Sequence, residues 1–323
     1  MAITYGKKDN VFKQYGKPSL LLDFARRKAL LDTVTKNNPI TFTRASSKAT
    51  YVDSDGLIKL APVNLALYSE QFDISYSIWN TLRVVPLANQ IVSPDGKQTA
   101  DKIIEDTATN FRVIRQYVSM TNPFTFSVFV KKAERKGVIL GTDNAARWAH
   151  FDLDTKQITY GTTGISGQIT DVGDGWYRVS ATFNYSTTAA LISLSDIAQG
   201  PYTSYTGDGT SGIYIWGAQL EEGSVATPYI KTTSTISGAP RFDHDPVTGE
   251  SKGLLIEEER TNLVTYSENF DAGFWTKQDV SLSQTASAPD GTNSATIVTR
   301  NSTSYGTVFI IRYSQSVTDG QSY

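Results

Sequence analysis

The side chains able to do chemistry are few and scattered. There are only two histidines, His150 and His244, and neither sits in a metal-ligand spacing such as HExxH. Asp243-His244-Asp245 puts three potential ligands in a row. Followed by Pro246 and Gly249, it reads more economically as a turn. With no cysteine in the chain, thiolate metal sites and disulfides are excluded. No Gly-x-Ser-x-Gly elbow precedes a helix, so a nucleophilic hydrolase has no support. A glycosidase needs two carboxylates that converge from distant strands, and these leave no local signature. The visible clusters, Glu221-Glu222 and Glu257-Glu258-Glu259, would point to alternate faces of a strand and read as solvated charge. Gly207-Asp208-Gly209 lacks the Lys-Ser/Thr and helix of a phosphate cradle and reads as a hairpin tip. No catalytic residue, metal site or cofactor is expected.

The aromatics offer a different chemistry. A sandwich binds sugar by stacking an exposed ring on a pyranose face while amides and carboxylates take the hydroxyls. Trp148, His150 and Asp152 would share one outward strand face, and Trp176 with Arg178 forms a second candidate. The competing reading packs these rings under a loop or against a neighbouring subunit. Trp79 and Trp275 read as core or turn anchors, and Trp216, in a strand apolar on both faces, as core.

These residues would be carried by short strands. Phe126, Val128 and Val130 alternate along Thr125 to Lys131; Phe151 and Leu153 point inward from the Trp148 strand. Tyr177, Val179, Ala181 and Phe183 alternate with Trp176, Arg178, Ser180 and Thr182, and Ile213 to Leu220 reads as a central strand. Pro94-Asp95-Gly96, Asp174-Gly175 and Gly207-Asp208-Gly209 punctuate them. Strands without helical crossovers predict an all-β fold of antiparallel jelly-roll sandwich modules, with a short N-terminal arm and helix. Residues 1–39 form the arm, with a helix from Leu20 to Val34 stopped by Asn37-Asn38-Pro39. Residues 40–60 form a β-hairpin segment in which Tyr51-Val52 and Leu57-Ile58 flank Asp53-Ser54-Asp55-Gly56. The sandwich spans 61–231, and a Thr/Ser/Gly/Pro linker with a second hairpin spans 232–260.

Residues 261–323 begin the sandwich again. Asn64-Leu65, Tyr68-Ser69-Glu70, Phe72-Asp73 and Trp79 return about 200 residues later as Asn262-Leu263, Tyr266-Ser267-Glu268, Phe270-Asp271 and Trp275. Pro94-Asp95-Gly96 matches Pro289-Asp290-Gly291. Gln116 and Val118 match Gln315 and Val317, and Phe124 falls on Tyr323. The second copy is thus expected to be the front half of a module in a longer, string-like protein. Either a hairpin precedes each sandwich, or the first sandwich interrupts one hairpin layer.

Composition limits the partners. In 323 residues, 30 Lys and Arg nearly balance 32 Asp and Glu, which gives no electrostatic reason to expect nucleic acid. A 39% hydrophobic content with 17 Tyr, 14 Phe and 5 Trp suits half-buried sheets. No apolar run approaches the ~20 residues needed to cross a bilayer, and the first residues lack the apolar core of a signal peptide. Synthesis in a cytosol without membrane insertion is expected.

Phe42-Thr43-Arg44-Ala45-Ser46, Ala49-Thr50-Tyr51-Val52-Asp53 and Gly56-Leu57-Ile58 resemble a segment of many tailed-bacteriophage structural proteins. So does Pro240-Arg241-Phe242-Asp243-His244-Asp245-Pro246-Val247-Thr248-Gly249 with Gly253-Leu254-Leu255-Ile256-Glu257. Between them, Tyr68-Ser69-Glu70-Gln71-Phe72, Gly175-Trp176-Tyr177-Arg178 and Gly212-Ile213-Tyr214-Ile215-Trp216-Gly217-Ala218-Gln219-Leu220-Glu221 resemble the carbohydrate-binding-module-like jelly rolls of phage fibres. The resemblance implies a virion component made in the host cytoplasm: a homotrimeric tail fibre, or another appendage such as a head fibre or spike. It would attach the particle to its host, with a surface glycan as a further partner. A carbohydrate-binding module or a depolymerase tailspike is the alternative. The arm would dock to tail or head proteins through Val11, Phe12, Tyr15, Leu20, Leu21 and Leu22.

Overall fold

The computed structural model describes residues 22–30, 32, 34, 40, 42, 44, 46, 48–74, 76–196, 200–257, 262, 264–301 and 309–311. The chain forms two compact units. One comprises Met1–Phe42, Ala49–Leu60 and Pro240–Tyr323; the other comprises Thr43–Lys48 and Ala61–Ala239. Of the docking residues expected in the arm, Val11, Phe12, Tyr15, Leu20 and Leu21 lie outside the described residues, while Leu22 is half-buried and bridges Asp32. Among the described residues of the helix expected from Leu20 to Val34, only the single turn α1 (Phe24–Arg27) is helical. Asp23 caps it, accepting from the Arg26 amide at 3.3 Å, and Lys28 ends it in the left-handed conformation at φ 51°.

In the first unit β1 (Thr50–Val52) and β2 (Ile58–Leu60) pair as the predicted hairpin. Asp53 Oδ1 closes its turn by accepting from the Asp55 and Leu57 amides at 3.0 and 2.9 Å. Gly56 is required there: its φ is +79°, and a Cβ would collide with the Pro246 carbonyl.

The second unit is a sandwich. Its strands are β3 (Val63–Asn64), β4 (Asn80–Leu82), β5 (Val84–Ile91), β6 (Ala100–Glu105), β7 (Thr109–Asn110), β8 (Val113–Gln116), β9 (Phe124–Lys132) and β10 (Gly137–Thr142). They continue with β11 (Trp148–Asp152), β12 (Ile158–Tyr160), β13 (Ile165–Gly173), β14 (Trp176–Phe183), β15 (Ala190–Leu194), β16 (Tyr205–Thr206), β17 (Gly212–Glu222) and β18 (Ser237–Gly238). Two six-stranded antiparallel sheets result, in the orders β12-β11-β10-β15-β8-β4 and β13-β14-β9-β17-β6-β5. The chain passes repeatedly between them, as in a jelly roll. Period-2 alternation fills the space between the sheets. Phe126, Val128 and Val130 meet Val179, Ala181 and Phe183 from one sheet and Val138, Leu140, Phe151 and Ile192 from the other, all buried. The alternation read from the sequence is realised in both β9 and β14.

The Thr/Ser-rich stretch after residue 231 belongs to this sandwich and does not act as a free linker. Its Thr232 is buried, and β18 pairs with β3, Ser237 facing Asn64. The Thr232 hydroxyl donates to the Ala66 carbonyl at 2.5 Å and accepts from the Ser69 amide at 3.2 Å, which composition alone does not reveal. Asn64 locks the same corner. Its Nδ2 donates to the Ala218 and Ile230 carbonyls at 2.9 and 2.8 Å. Its Oδ1 accepts from the Ala66 and Leu220 amides, each at 3.0 Å.

The first unit resumes with β19 (Phe242–His244), β20 (Ser251–Leu254), β21 (Thr276–Gln278), β22 (Val280–Ala286), β23 (Ala295–Arg300) and β24 (Phe309–Ile311). The β19-β20 hairpin docks on β1. Asp243 Oδ1 accepts from the Val52 amide at 2.7 Å, His244 Nδ1 meets the Val52 carbonyl at 2.9 Å, and Arg241 donates to the Thr50 carbonyl at 2.8 Å. The sandwich therefore interrupts one hairpin layer. Asp243-His244-Asp245 serves as turn and hairpin contact, with Asp245 accepting from the Val247 and Thr248 amides at 3.0 Å.

The repeat extends to geometry. Trp79 Nε1 donates to the Tyr68 carbonyl at 3.2 Å, and Trp275 Nε1 to that of Tyr266 at 3.0 Å. Trp79 and Phe72 have ring centroids 4.8 Å apart; for Trp275 and Phe270 the separation is 5.0 Å. Tyr68 and Tyr266 share a positive φ of 49° and 56°. The register matches too, with Val84 facing Glu105 in the first copy and Val280 facing Arg300 in the second.

Candidate functional site

Alternation along β14 does send Trp176 and Arg178 to the outer face of their sheet, but that face is covered. Trp176 is 2% exposed and donates from Nε1 to the Val92 carbonyl at 3.1 Å. It joins Phe129, Trp216 and Ala100 in a second apolar cluster, against which Tyr229 packs with its ring centroid 4.7 Å from that of Trp216. The segment after β17 closes over this cluster. Arg178 Nη1 donates to the Thr227 carbonyl at 2.6 Å and Nη2 to Ser127 Oγ at 3.0 Å. Glu221 accepts from the Thr227 amide at 3.0 Å, and Gln219 Oε1 from that of Ile230 at 2.7 Å. Burial lowers the Arg178 pKa and raises that of Tyr229. Both groups are spent on holding the segment down.

Trp148, His150 and Asp152 likewise share one face of β11 without forming a platform. Trp148 and His150 are 9% and 3% exposed, and His150 Nε2 meets the Ser195 carbonyl at 2.9 Å. Burial lowers the His150 pKa, disfavouring the charged imidazolium. The Trp148 indole occupies the space a side chain at Gly161 would need. Burial works against the Asp152 charge, yet the Thr155 and Asp154 amides and Lys136 hold its carboxyl at about 2. Exposed stacking faces, expected at Trp148 and Trp176, are thus corrected: alternation fixed the direction of each ring, and segments distant in sequence covered it.

One opening remains beside Trp176. A cleft of about 370 Å³ is lined by Val92, Pro94, Lys131, Val172, Asp174 and Tyr214. Lys131 Nζ spans its edge to the Asp174 carbonyl at 2.6 Å. Tyr214 is partly exposed there while Trp176 is 2% exposed, so little aromatic surface is open to a ligand.

The strongest electrostatic cluster was not legible in the sequence. Glu105, fully buried at the end of β6, accepts from Arg135 Nη2 and Nε at 2.6 and 3.2 Å, Tyr205 OH at 2.7 Å and the Asp208 amide at 3.0 Å. Arg135 also pairs with Asp196 at 3.1 Å. Arg112, 0% exposed, donates to the carbonyls of Asn110, Ala108 and Tyr205 at 2.6, 2.6 and 2.8 Å, its guanidinium 3.8 Å above the Tyr205 ring. Burial, and then the bond to Glu105, raises the Tyr205 pKa. The Glu105 carboxylate is saturated by donors, which makes the cluster a clamp on the β7-β16 end and not a proton-transfer site. An arginine inside the apolar run Phe111-Arg112-Val113-Ile114 was the available signal. Among the described residues no group of three His, Asp or Glu could hold a metal ion, and no helix is long and apolar enough to cross a membrane.

Asp101 is a second buried carboxylate, accepting from the Phe72 and Asn89 amides at 2.8 and 2.9 Å. Burial pushes its pKa up to about 6, and the two amides keep it from rising further. A carboxyl whose folded value exceeds its unfolded 3.8 binds its proton more tightly when folded, so its contribution to stability is lost as pH rises from about 4 to about 6. Relative to Asp101→Asn, the native chain should lose up to about 3 kcal/mol between pH 4 and pH 7. Urea unfolding of both proteins across that range checks this, and parallel pH profiles would refute it.

No family model matches the chain, and no curated protein matches it significantly.

Proposed function

We propose that this chain is a structural, non-enzymatic component of a tailed-phage particle, a tail fibre or related appendage built from repeated sandwiches. One observation carries the reading: the same strand-turn-strand unit, with the same Trp-to-carbonyl anchor and ladder register, occurs twice in one chain. Repetition of a sandwich adds length and surface, which an adhesive rod needs and a compact enzyme does not. The donor-saturated Glu105 and the covered rings of Trp148 and Trp176 support a spacer role for the first sandwich. Many copies on one particle would convert weak distal contacts into firm attachment by avidity.

Mass spectrometry of purified virions from cells producing this protein should find its peptides; their absence from an otherwise complete set of virion proteins refutes the reading. Deleting residues 1–20 should abolish incorporation into particles, because the arm is the proposed docking element; normal incorporation would remove that assignment. The full chain should be silent on a glycan array. Binding there, lost on Trp176→Ala or Tyr214→Ala, would favour a carbohydrate-binding module with the Tyr214 cleft as its site.

A further inference from the structure

The two copies share a backbone and differ in what covers it. Ile103 on β6 is 1% exposed, whereas its equivalent Val298 on β23 is 51% exposed. Phe72 and Trp79 are each 1% exposed, while Phe270 and Trp275 are only half-buried. Asn64 is wholly buried and Asn262 is exposed. In each case the backbone is already in place, and the core face it presents stays open.

The first copy shows what closes such a face. There β6 lies between β5 and β17, with Ile103 opposite Ile213 and Asp101 opposite Ile215. In the second copy β22 and β23 form a two-stranded sheet among the described residues. Asn64 Oδ1 takes one local amide, Ala66, and one β17 amide, Leu220. Asn262 Oδ1 keeps the local half of this pattern, accepting from the Val264 amide at 2.9 Å. Thr296, equivalent to Asp101, holds a buried Oγ1 with no hydrogen-bond partner. Ladder edge, apolar face and asparagine all ask for the same missing element.

We infer that the open face of the second copy is an acceptor for a strand of the β17 kind, backed by one of the β9 kind. The occupant is defined by its chemistry. It needs inward aliphatics in the Ile213/Ile215 pattern, an amide and a carbonyl at the Leu220 and Ala218 positions for Asn262, and a free edge to pair with β23. The inference rests on the repeat geometry and holds whether or not the protein belongs to a virion.

The test extends the full chain after Tyr323 with a second copy of its own residues 125–239, the graft set by the match of Phe124 to Tyr323. Peptide-resolved hydrogen exchange should show β23 amides slowing at least tenfold relative to the unextended chain. Val298→Asp, on the face equivalent to Ile103, should abolish the gain. Ile297→Asp, on the opposite face, should retain it. The inference is overturned if β23 exchanges as slowly as β6 without the graft, or if the graft leaves β23 unchanged. It also falls if the unextended chain self-associates in sedimentation and Val298→Asp disperses the oligomer, since a second copy would then be the occupant.

Discussion

Glu105→Ala should destabilise the sandwich by about 3–5 kcal/mol, the typical cost of leaving a buried charge without its partner. The substitution strands Arg135 beside Asp196 and removes the acceptor of Tyr205 OH and of the Asp208 amide. Arg112 also loses the carboxylate 3.8 Å from its Nε. Glu105→Gln keeps the shape and an acceptor, so it should cost less. Glu105→Ala with Arg135→Ala should cost less than the sum of the single changes, because each group is costly chiefly without the other. Urea unfolding of the full chain, followed by hydrogen exchange on β6, measures the native protein and the four variants, Arg135→Ala alone included. A single-site loss below about 1 kcal/mol would show that the cluster is solvated and that the clamp assignment is wrong.

Trp79→Ala and Trp275→Ala should behave differently although the two rings make the same bond. Trp79 is enclosed, so its truncation leaves a cavity against Phe72 and frees the Tyr68 carbonyl; the expected loss is about 3–5 kcal/mol. Trp275 is only half-buried, and truncating it should cost about 1 kcal/mol or less, since solvent fills the space. Because the chain divides into two compact units, a single global midpoint does not report both sites, and the readout must be local: hydrogen exchange followed on β6 and on β23 in increasing denaturant. Equal losses would mean that the second copy already has an enclosed core, and would also undercut the acceptor face inferred above.

Local periodicity made most of the sandwich legible. The inward residues of β9, β11 and β14 were readable because a pleated strand alternates its side chains, whatever else the chain does. The hairpin at Asp53-Ser54-Asp55-Gly56 was readable because its chemistry is contained in four residues. What escaped depends on contacts across long sequence separations. Nothing near Trp176 announces that Thr227 and Tyr229 will lie over its sheet face, and nothing near Trp148 announces Gly161. The Thr/Ser-rich stretch looked like a linker because a threonine hydroxyl suits water as well as it suits the Ala66 carbonyl and Ser69 amide that Thr232 Oγ1 meets. Apolar spacing suggested a helix from Leu20 to Val34, but among the described residues only one turn forms, ended by Lys28 in the left-handed conformation, and apolar spacing alone does not mark such a stop.

The staple between Val63–Asn64 and Ser237–Gly238 has a mechanical consequence. Where the polypeptide enters and leaves the sandwich, it is zipped side by side, and further out along the chain in both directions Val52 is bonded to Asp243 and His244. Tension along the chain therefore meets two short latches before it reaches the sheets, and while they hold, the load bypasses the module. A chain pulled from both ends would strain the latches first and keep the sandwich folded, so single-molecule pulling should record a small opening event ahead of the large one.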